Sequence, residues 1–361
     1  MNYSKPALRI LDSRQISRKR LLAGDLLLEA SGGGPGTPVG RVALHDGGIA
    51  GQEYTCSNFF RVLRPNRKFV NPDFLKNVLV WVYGSPAIWR YQQQTTGLVN
   101  LKLKDYLDHP LSVPPLGEQE RVVDVLRGFA EAERAIEASI AKLRSVRQGA
   151  QLEFMRRVTA GAVEVNWTPV RDIAEIRMGK QLSPDSRAAG GQYPYLRVAN
   201  VFAGWIDYSD VNTMGFTSGE LAVYGLVPGD ILLNEGQSLE LVGRSAIYRG
   251  GVGEYCFQNT LVRFRSGERA IPEFAQLVFE YWLQSGVFAA ISKKTTSIAH
   301  LGGDRFSALS FPLVSLDEQR EFVASLTRCD ASIGAEAGEL TKLRKLKQGL
   351  MNDLLSGRVA V

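Results

Sequence analysis

The chain has 361 residues, 45% of them hydrophobic and 22% charged, which excludes a disordered tail and suits about two domains with real cores. The formal net charge of +6 and the pI near 9.2 are compatible with a nucleic-acid partner without requiring one. There is no apolar run of membrane-spanning length, no signal-peptide core after Met1-Asn2-Tyr3-Ser4-Lys5 and no Cys-x-x-Cys among Cys56, Cys256 and Cys329, so a cytoplasmic protein with reduced thiols is expected.

From the N-terminus, short apolar runs at Asp25–Glu29 and Asn58–Val62, broken by Gly, Pro and Asn, predict strands and turns. A helix is predicted over Pro72–Tyr83, with proline where a first turn tolerates it. A long helix follows from Glu118, with apolar positions Val122, Leu126, Phe129, Ile136, Ile140 and Leu143 spaced by 4, 3, 7, 4 and 3. The irregular pattern then returns, with strands at Asp230–Asn234 and Thr260–Phe264 and a helix over Pro272–Gln284. A second long helix from Glu318 carries Phe322, Leu326, Cys329, Ile333, Leu340, Leu343 and Leu350. Both stripes have the narrow spacing of a coiled-coil seam, interrupted once each, by Glu133 and by Glu336. Long helices with such stripes usually pair, here with each other or with a partner protein.

The chain also repeats itself. Leu116-Gly117-Glu118-Gln119 recurs 200 residues on as Leu316-Asp317-Glu318-Gln319, and the same offset relates Pro72 to Pro272, Phe74 to Phe274, Thr95-Thr96 to Thr295-Thr296 and Gln148-Gly149 to Gln348-Gly349. Upstream the register drifts: Gly24-Asp25-Leu26-Leu27 matches Gly229-Asp230-Ile231-Leu232, and Val39-Gly40-Arg41 matches Val242-Gly243-Arg244. Chain order makes the first long helix the link between two lobes, and a paired second helix would return antiparallel to it. The expected fold is α+β, with two similar lobes separated by two long antiparallel coiled-coil helices in a pseudo-two-fold repeat. The first long helix (118–158) holds eight basic and seven acidic residues and the second (317–358) seven of each, so the positive excess lies in the lobes and connectors.

Two variable lobes, each followed by a Pro-Leu-x-Glu-Gln-like start of a long helix, resemble the specificity subunit of type I restriction–modification enzymes. The residues that carry the resemblance are Val113-Pro114-Pro115-Leu116-Gly117-Glu118-Gln119 and Pro312-Leu313-Val314-Ser315-Leu316-Asp317-Glu318-Gln319. In the second lobe they are Trp167, Asp172-Ile173-Ala174-Glu175-Ile176-Arg177-Met178-Gly179-Lys180 and Tyr195-Leu196-Arg197-Val198-Ala199-Asn200-Val201. The resemblance implies target-recognition domains at 1–115 and 161–315, each reading half of a bipartite double-stranded DNA target. It implies spacer helices at 116–160 and 316–361 that serve as a platform for two DNA methyltransferase subunits, a complex that motor–nuclease subunits can join. It implies no catalysis and no cofactor. Segment 165–205 of the second repeat has no counterpart in the first, so the first domain is expected to lack about 40 residues at its N-terminal end, supplied upstream or by another chain.

A DNA reader needs cations for phosphates and amide or planar groups for base edges. The candidates in the second lobe are Gln237, Ser238 and Arg244 in one loop and Lys293, Lys294, Thr295, Thr296 and Ser297 in another, with Gln181, Arg197 and Asn200 behind them. In the first lobe they are Arg41, Gln92, Gln93, Gln94, Thr95 and Thr96. For each, a solvated loop or a satisfied turn is the simpler role. Gly32-Gly33-Gly34-Pro35-Gly36 lacks the Gly-Lys-Ser/Thr of a phosphate-binding loop, and Asn71-Pro72-Asp73-Phe74 reads as a helix start, not an amino-methyltransferase motif. His45, His109 and His300 lack metal-ligand spacing, so no metal is expected. The competing reading is a coiled-coil adaptor that joins protein partners without reading DNA.

Overall fold

A computed structural model describes residue 3, residues 7–356 except 35, 96, 185, 187–190, 296 and 297, and residues 358 and 359. The fold is α+β, and the chain divides into two compact units, Met1–Ile140 with Ala335–Val361, and Ala141–Gly334.

In the first unit α1 (Ser13–Lys19) precedes β1 (Leu26–Glu29), β2 (Ser31–Gly33), β3 (Val42–Leu44) and β4 (Phe60–Leu63). Next come α2 (Pro72–Gly84), β5 (Gln92–Thr95), β6 (Leu98–Leu101), α3 (Leu103–Leu107) and α4 (Leu116–Thr159), whose later part belongs to the second unit. One antiparallel sheet has the order β3-β1-β4 and a second β2-β6-β5. The strand β1 is buried at all four positions, which its unbroken Leu-Leu-Leu run demands. The helix α2 starts where Asn71 caps it, its side chain accepting from the N–H groups of Asp73 and Phe74, and Pro72 fills the first turn. Its buried face, Phe74, Val78, Leu79 and Val82, shares a core with Val122 and Leu126 of α4 and with Leu354 and Leu355.

The second unit opens with β7 (Asn166–Pro169), β8 (Ala174–Met178), β9 (Gln192–Leu196), β10 (Asn212–Gly215) and α5 (Ser218–Tyr224). It continues through β11 (Ile231–Asn234), β12 (Gly236–Gln237), β13 (Ser245–Ile247), β14 (Cys256–Phe257), β15 (Leu261–Ser266) and α6 (Pro272–Gln284). After these come α7 (Val287–Ile291), β16 (Lys293–Lys294), β17 (Ala299–His300), α8 (Gly303–Ser307), β18 (Ser310–Leu313) and α9 (Leu316–Leu355). Its sheets have the orders β13-β11-β15-β8, β12-β17-β16, β10-β9-β14 and β18-β7. The largest core is aromatic, with Phe264, Phe274, Phe279, Phe288, Phe306 and Phe311 fully buried.

Both long helices begin two residues before the expected Glu-Gln position. At α9 Ser315 and Glu318 cap each other's backbone, Glu318 accepting from the Ser315 N–H at 3.1 Å and Ser315 Oγ from the Glu318 N–H at 3.3 Å. Proline at 115 leaves α4 without that box, and Glu118 N–H donates to the Pro115 carbonyl at 2.9 Å instead. The helix α4 ends at Thr159, and Gly161 beyond it, with φ of +71°, closes a Schellman turn in which Ala162 N–H donates to the Arg157 carbonyl at 2.9 Å.

Within the first unit Lys347 Nζ meets Glu133 at 3.0 Å, Arg344 pairs with Glu137, and Ser139 Oγ donates to Glu336 at 2.7 Å. Numbers fall on α9 as they rise on α4, so those stretches run antiparallel. The second unit shows the same sense, with Arg147 on Asp330 at 2.6 Å and Phe154 stacked on Phe322 at 3.9 Å between centroids. Val122, Leu126, Ile140, Phe322, Leu326 and Leu340 are buried, and Phe129, Ile136, Cys329, Ile333, Leu143, Leu343 and Leu350 half-buried. The outer ends of the stripe do more than join two helices. Phe322 and Leu326 sit in one core with Phe274 and Phe311, just as Val122 and Leu126 sit with α2. The interruptions Glu133 and Glu336 are where polar bonds cross the seam.

Candidate nucleic-acid interface

Each unit is organised by the same few bonds. In the first, the buried Asp25 carboxylate accepts from the Leu22 N–H at 2.8 Å and takes both arms of Arg64 at 2.7 Å. In the second, Asp230 accepts from Val227 N–H at 2.9 Å and takes both arms of Arg265 at 2.7 Å. Each aspartate follows a glycine with φ near +95°, Gly24 at +93° and Gly229 at +96°, a conformation that L side chains rarely adopt. Burial raises the Asp25 carboxyl, but the Arg64 and Leu22 hydrogen bonds outweigh it and hold it below its usual range.

The glutamine of each Glu-Gln pair is fully buried and does not face a partner. Gln119 Oε1 accepts from the Asn71 N–H at 2.8 Å, and Nε2 donates to the Phe69 and Pro114 carbonyls at 2.9 and 2.7 Å. Gln319 does the same with Ile271 N–H at 2.8 Å and the Arg269 and Val314 carbonyls at 3.0 and 2.9 Å. A primary amide has one acceptor and two donors placed for this, which glutamate cannot reproduce. It ties the long helix to the loop that launches the preceding short one.

On this frame the second unit displays the ribbon β12-β17-β16. Gln237 stands opposite Ala299, and Ala299 opposite Lys294, so Gln237 and Lys294 lie two strands apart, about 10 Å. Lys293 and Lys294 are exposed, and neither ammonium has a carboxylate within 4.0 Å among the described residues. Thr295 Oγ1 donates to the Ile298 carbonyl at 2.9 Å and closes the turn, while Ser238 accepts through its carbonyl from Leu241 and Val242. Beside the ribbon, the Arg244 guanidinium lies 4.8 Å from the Phe202 ring centroid, and Phe202 stacks on the exposed Trp205 at 4.5 Å. Burial holds Arg244 below its ordinary pKa, and its Nε has no hydrogen-bond partner among the described residues.

The first unit's ribbon, β2-β6-β5, carries Gln93 and Gln94 exposed on β5. Arg41 is differently placed from Arg244: its Nε donates to the buried Glu29 at 2.8 Å. The hydrogen bonds from Arg41 hold Glu29 below the usual carboxylate range. Among the described residues no group of three or more His, Cys, Asp or Glu could hold a metal ion, and no helix is long and apolar enough to cross a membrane.

The family model described as "Type I restriction modification DNA specificity domain" matches residues 163–345, which contain the whole second ribbon. The chain belongs to that family. A Methanocaldococcus jannaschii protein named as the specificity subunit of type I restriction enzyme MjaX is 26% identical over 212 residues, 56% of this chain and 49% of its own length. A second from that organism, the MjaVIII specificity subunit, is 23% identical over 302 residues, covering 75% of this chain and 67% of its own. The alignment thus spans about half the length of one curated relative and two thirds of the other. The HsdS subunit from Thermoanaerobacter tengcongensis shares the fold at TM-score 0.53 and 19% identity, covering 95% of this chain and 84% of its own. A chain from a study of complex assembly in the type I R-M system reaches TM-score 0.61 at 18% identity, with 94% and 83% covered.

Within this specificity-domain fold the sequence candidates separate. Gln237, Ser238, Lys293, Lys294 and Thr295 come together on one ribbon and its turns, while Thr96, Thr296, Ser297 and the side chain of Thr95 lie outside the described residues. Gln181 is exposed. Arg197 is paired with Asp210 at 2.7 Å. Two candidate amides are spent inside the fold. Asn200 accepts from Arg197 N–H and donates to the Asp207 and Asp210 carbonyls, and Gln92 bonds Val39 through both amide atoms and also the Ile88 carbonyl. Sequence reasoning missed the Phe202–Trp205 stack, because two aromatics three residues apart in a Gly-containing turn carry no periodic signal.

Proposed function

We propose that this chain is the DNA sequence-reading subunit of a type I restriction–modification complex, without catalytic activity of its own. The observation that carries the reading is the second-unit ribbon inside the matched family domain, with two exposed lysines that have no carboxylate within 4.0 Å among the described residues, beside a glutamine–serine turn. Unpaired cations suit phosphates and amides suit base edges. Each unit reads one half of a bipartite double-stranded target, and two methyltransferase subunits, with motor–nuclease subunits able to join them, supply the chemistry in the cytoplasm. The two lobes are separated by α4 and α9 as an antiparallel coiled coil in a pseudo-two-fold repeat, which sets the spacing of the half-sites.

The purified chain alone should transfer no methyl group from S-adenosylmethionine, and with its methyltransferase partner it should methylate one bipartite sequence. Methyl transfer by the chain alone, or a complex with no sequence preference, would overturn this reading. Seven residues inserted after both Leu143 and Leu343 lengthen each helix by about 10.5 Å. The unspecified spacer should then grow by about three base pairs, with the half-sites unchanged.

A further inference from the structure

The register of each ribbon sets one polar side chain on the outward face of its central strand. In the second unit His300 of β17 stands opposite Gly236 of β12 and Lys293 of β16. Residues directly opposite in an antiparallel ladder share a face, and neighbours along a strand take opposite faces. Ala299 and Leu301 are buried in the core, so His300 and Lys293 look outward. The first unit repeats the arrangement: Asn100 of β6 stands opposite Ser31 and Gln93, between the buried Val99 and Leu101. Both central positions therefore carry a side chain able to donate and to accept hydrogen bonds.

The ring of His300 is held in one orientation. Its Nδ1 lies 3.0 Å from Glu235 Oε2, and its side chain is 43% exposed against 16% for the glutamate. An ionised carboxylate only accepts, so Nδ1 carries the hydrogen of that bond. Nε2 has no hydrogen-bond partner among the described residues and is left to a ligand. A Cβ at position 236 would already lie 3.6 Å from the ring atoms Nδ1 and Cε1, so glycine keeps that flank of the imidazole open.

The outer strands of such a ribbon are about 10 Å apart, and the major groove of B-DNA is about 12 Å wide. Laid over the groove, β12 and β16 stand at its rims, where the phosphates run, and β17 stands over the base edges. Resting on the DNA-reading role of this ribbon, we propose that His300 is a specificity-determining residue. Its Nε2 hydrogen-bonds the major-groove edge of one base pair in the half-site read by the second unit, and Glu235 is a positioning residue that holds the ring. The neutral ring offers an acceptor and the cationic ring a donor, the groups by which base pairs differ in that groove. Lys293, on the rim strand, is left for phosphate.

The test is the recognition sequence of the assembled methyltransferase complex, read by methylation-aware sequencing. His300→Ala should lower discrimination about tenfold at one position of one half-site, with every other position and the salt dependence of binding unchanged. Glu235→Ala should blur that same position. His300→Asn, which copies Asn100 and keeps a hydrogen-bonding group, should change the base preferred there, and it serves where the alanine variant does not assemble. An unchanged sequence in His300→Ala, or in His300→Asn where alanine prevents assembly, would overturn the proposal. So would a salt slope shallower by about one unit with the sequence intact, which places His300 on a phosphate. Glu235→Ala acting at a different position would overturn it as well. If Lys293→Ala with Lys294→Ala leaves the slope unchanged, the ribbon does not meet DNA, and its reading role fails together with the proposal. A shallower slope in that variant beside an unchanged sequence in His300→Ala defeats the proposal alone.

Discussion

The equivalent arginines 41 and 244 show how the two units diverge from a common plan. Arg41 sits opposite Glu29, which fixes and neutralises it. At the position of Glu29 the second unit has Asn234, and Arg244, with no carboxylate in reach among the described residues, lies against Phe202 instead. The aspartate–arginine clasp and the buried glutamine, by contrast, recur bond for bond. Groups that satisfy buried backbone atoms admit few substitutes, because an unmet buried donor or acceptor costs about 1–3 kcal/mol. Surface cations and edge strands answer only to what lies outside, and there the units part.

The strongest way to break this comparison is at the buried amides. Gln119→Leu and Gln319→Leu each strand one N–H and two carbonyls, and each should destabilise its own unit by about 3 kcal/mol or more. Amide exchange resolved by unit measures this, and costs differing by much more than about 1 kcal/mol would mean the two ties are not equivalent.

Asp25→Asn should cost the first unit about 2 kcal/mol at neutral pH, by weakening a charge-assisted clasp in a buried place. Because the folded Asp25 carboxyl lies below its usual range, its contribution is complete above the unfolded value near about 3.9 and is lost as pH falls through the lower folded value. Stability of the first unit against pH should therefore drop over that acid range in the native chain and less steeply in the Asp25→Asn variant.

On DNA, Lys293→Ala with Lys294→Ala should make the slope of log affinity against log salt shallower by about two units in the assembled complex. Arg41→Ala, removing a cation already held by Glu29, should shift that slope by less than about half a unit. Equal shifts would show that Arg41 meets phosphate as the second-unit lysines do. The smallest difference concerns the short helices: Asn71→Ala should cost about 1 kcal/mol through the lost cap, whereas Ile271 makes no side-chain cap and its replacement by Ala costs only packing.

The sequence alone carried the repeat pattern, the expected α2 and α6, and the starts of both long helices. The helices rest on local signals, namely 3/4 apolar spacing and proline in a first turn, which act within a few residues. The short apolar run within Asp25–Glu29 likewise announced a strand, and the structure buries it. It could not say that Asn200 and Gln92 turn inward or that Gln119 and Gln319 are ties, since their partners lie up to 53 residues away. Nor could it show that Arg41 is paired with a buried glutamate while Lys293 and Lys294 have no carboxylate within 4.0 Å among the described residues. Which polar side chains remain free is decided only when distant backbone atoms have taken the bonds they need, and that is a property of the tertiary structure.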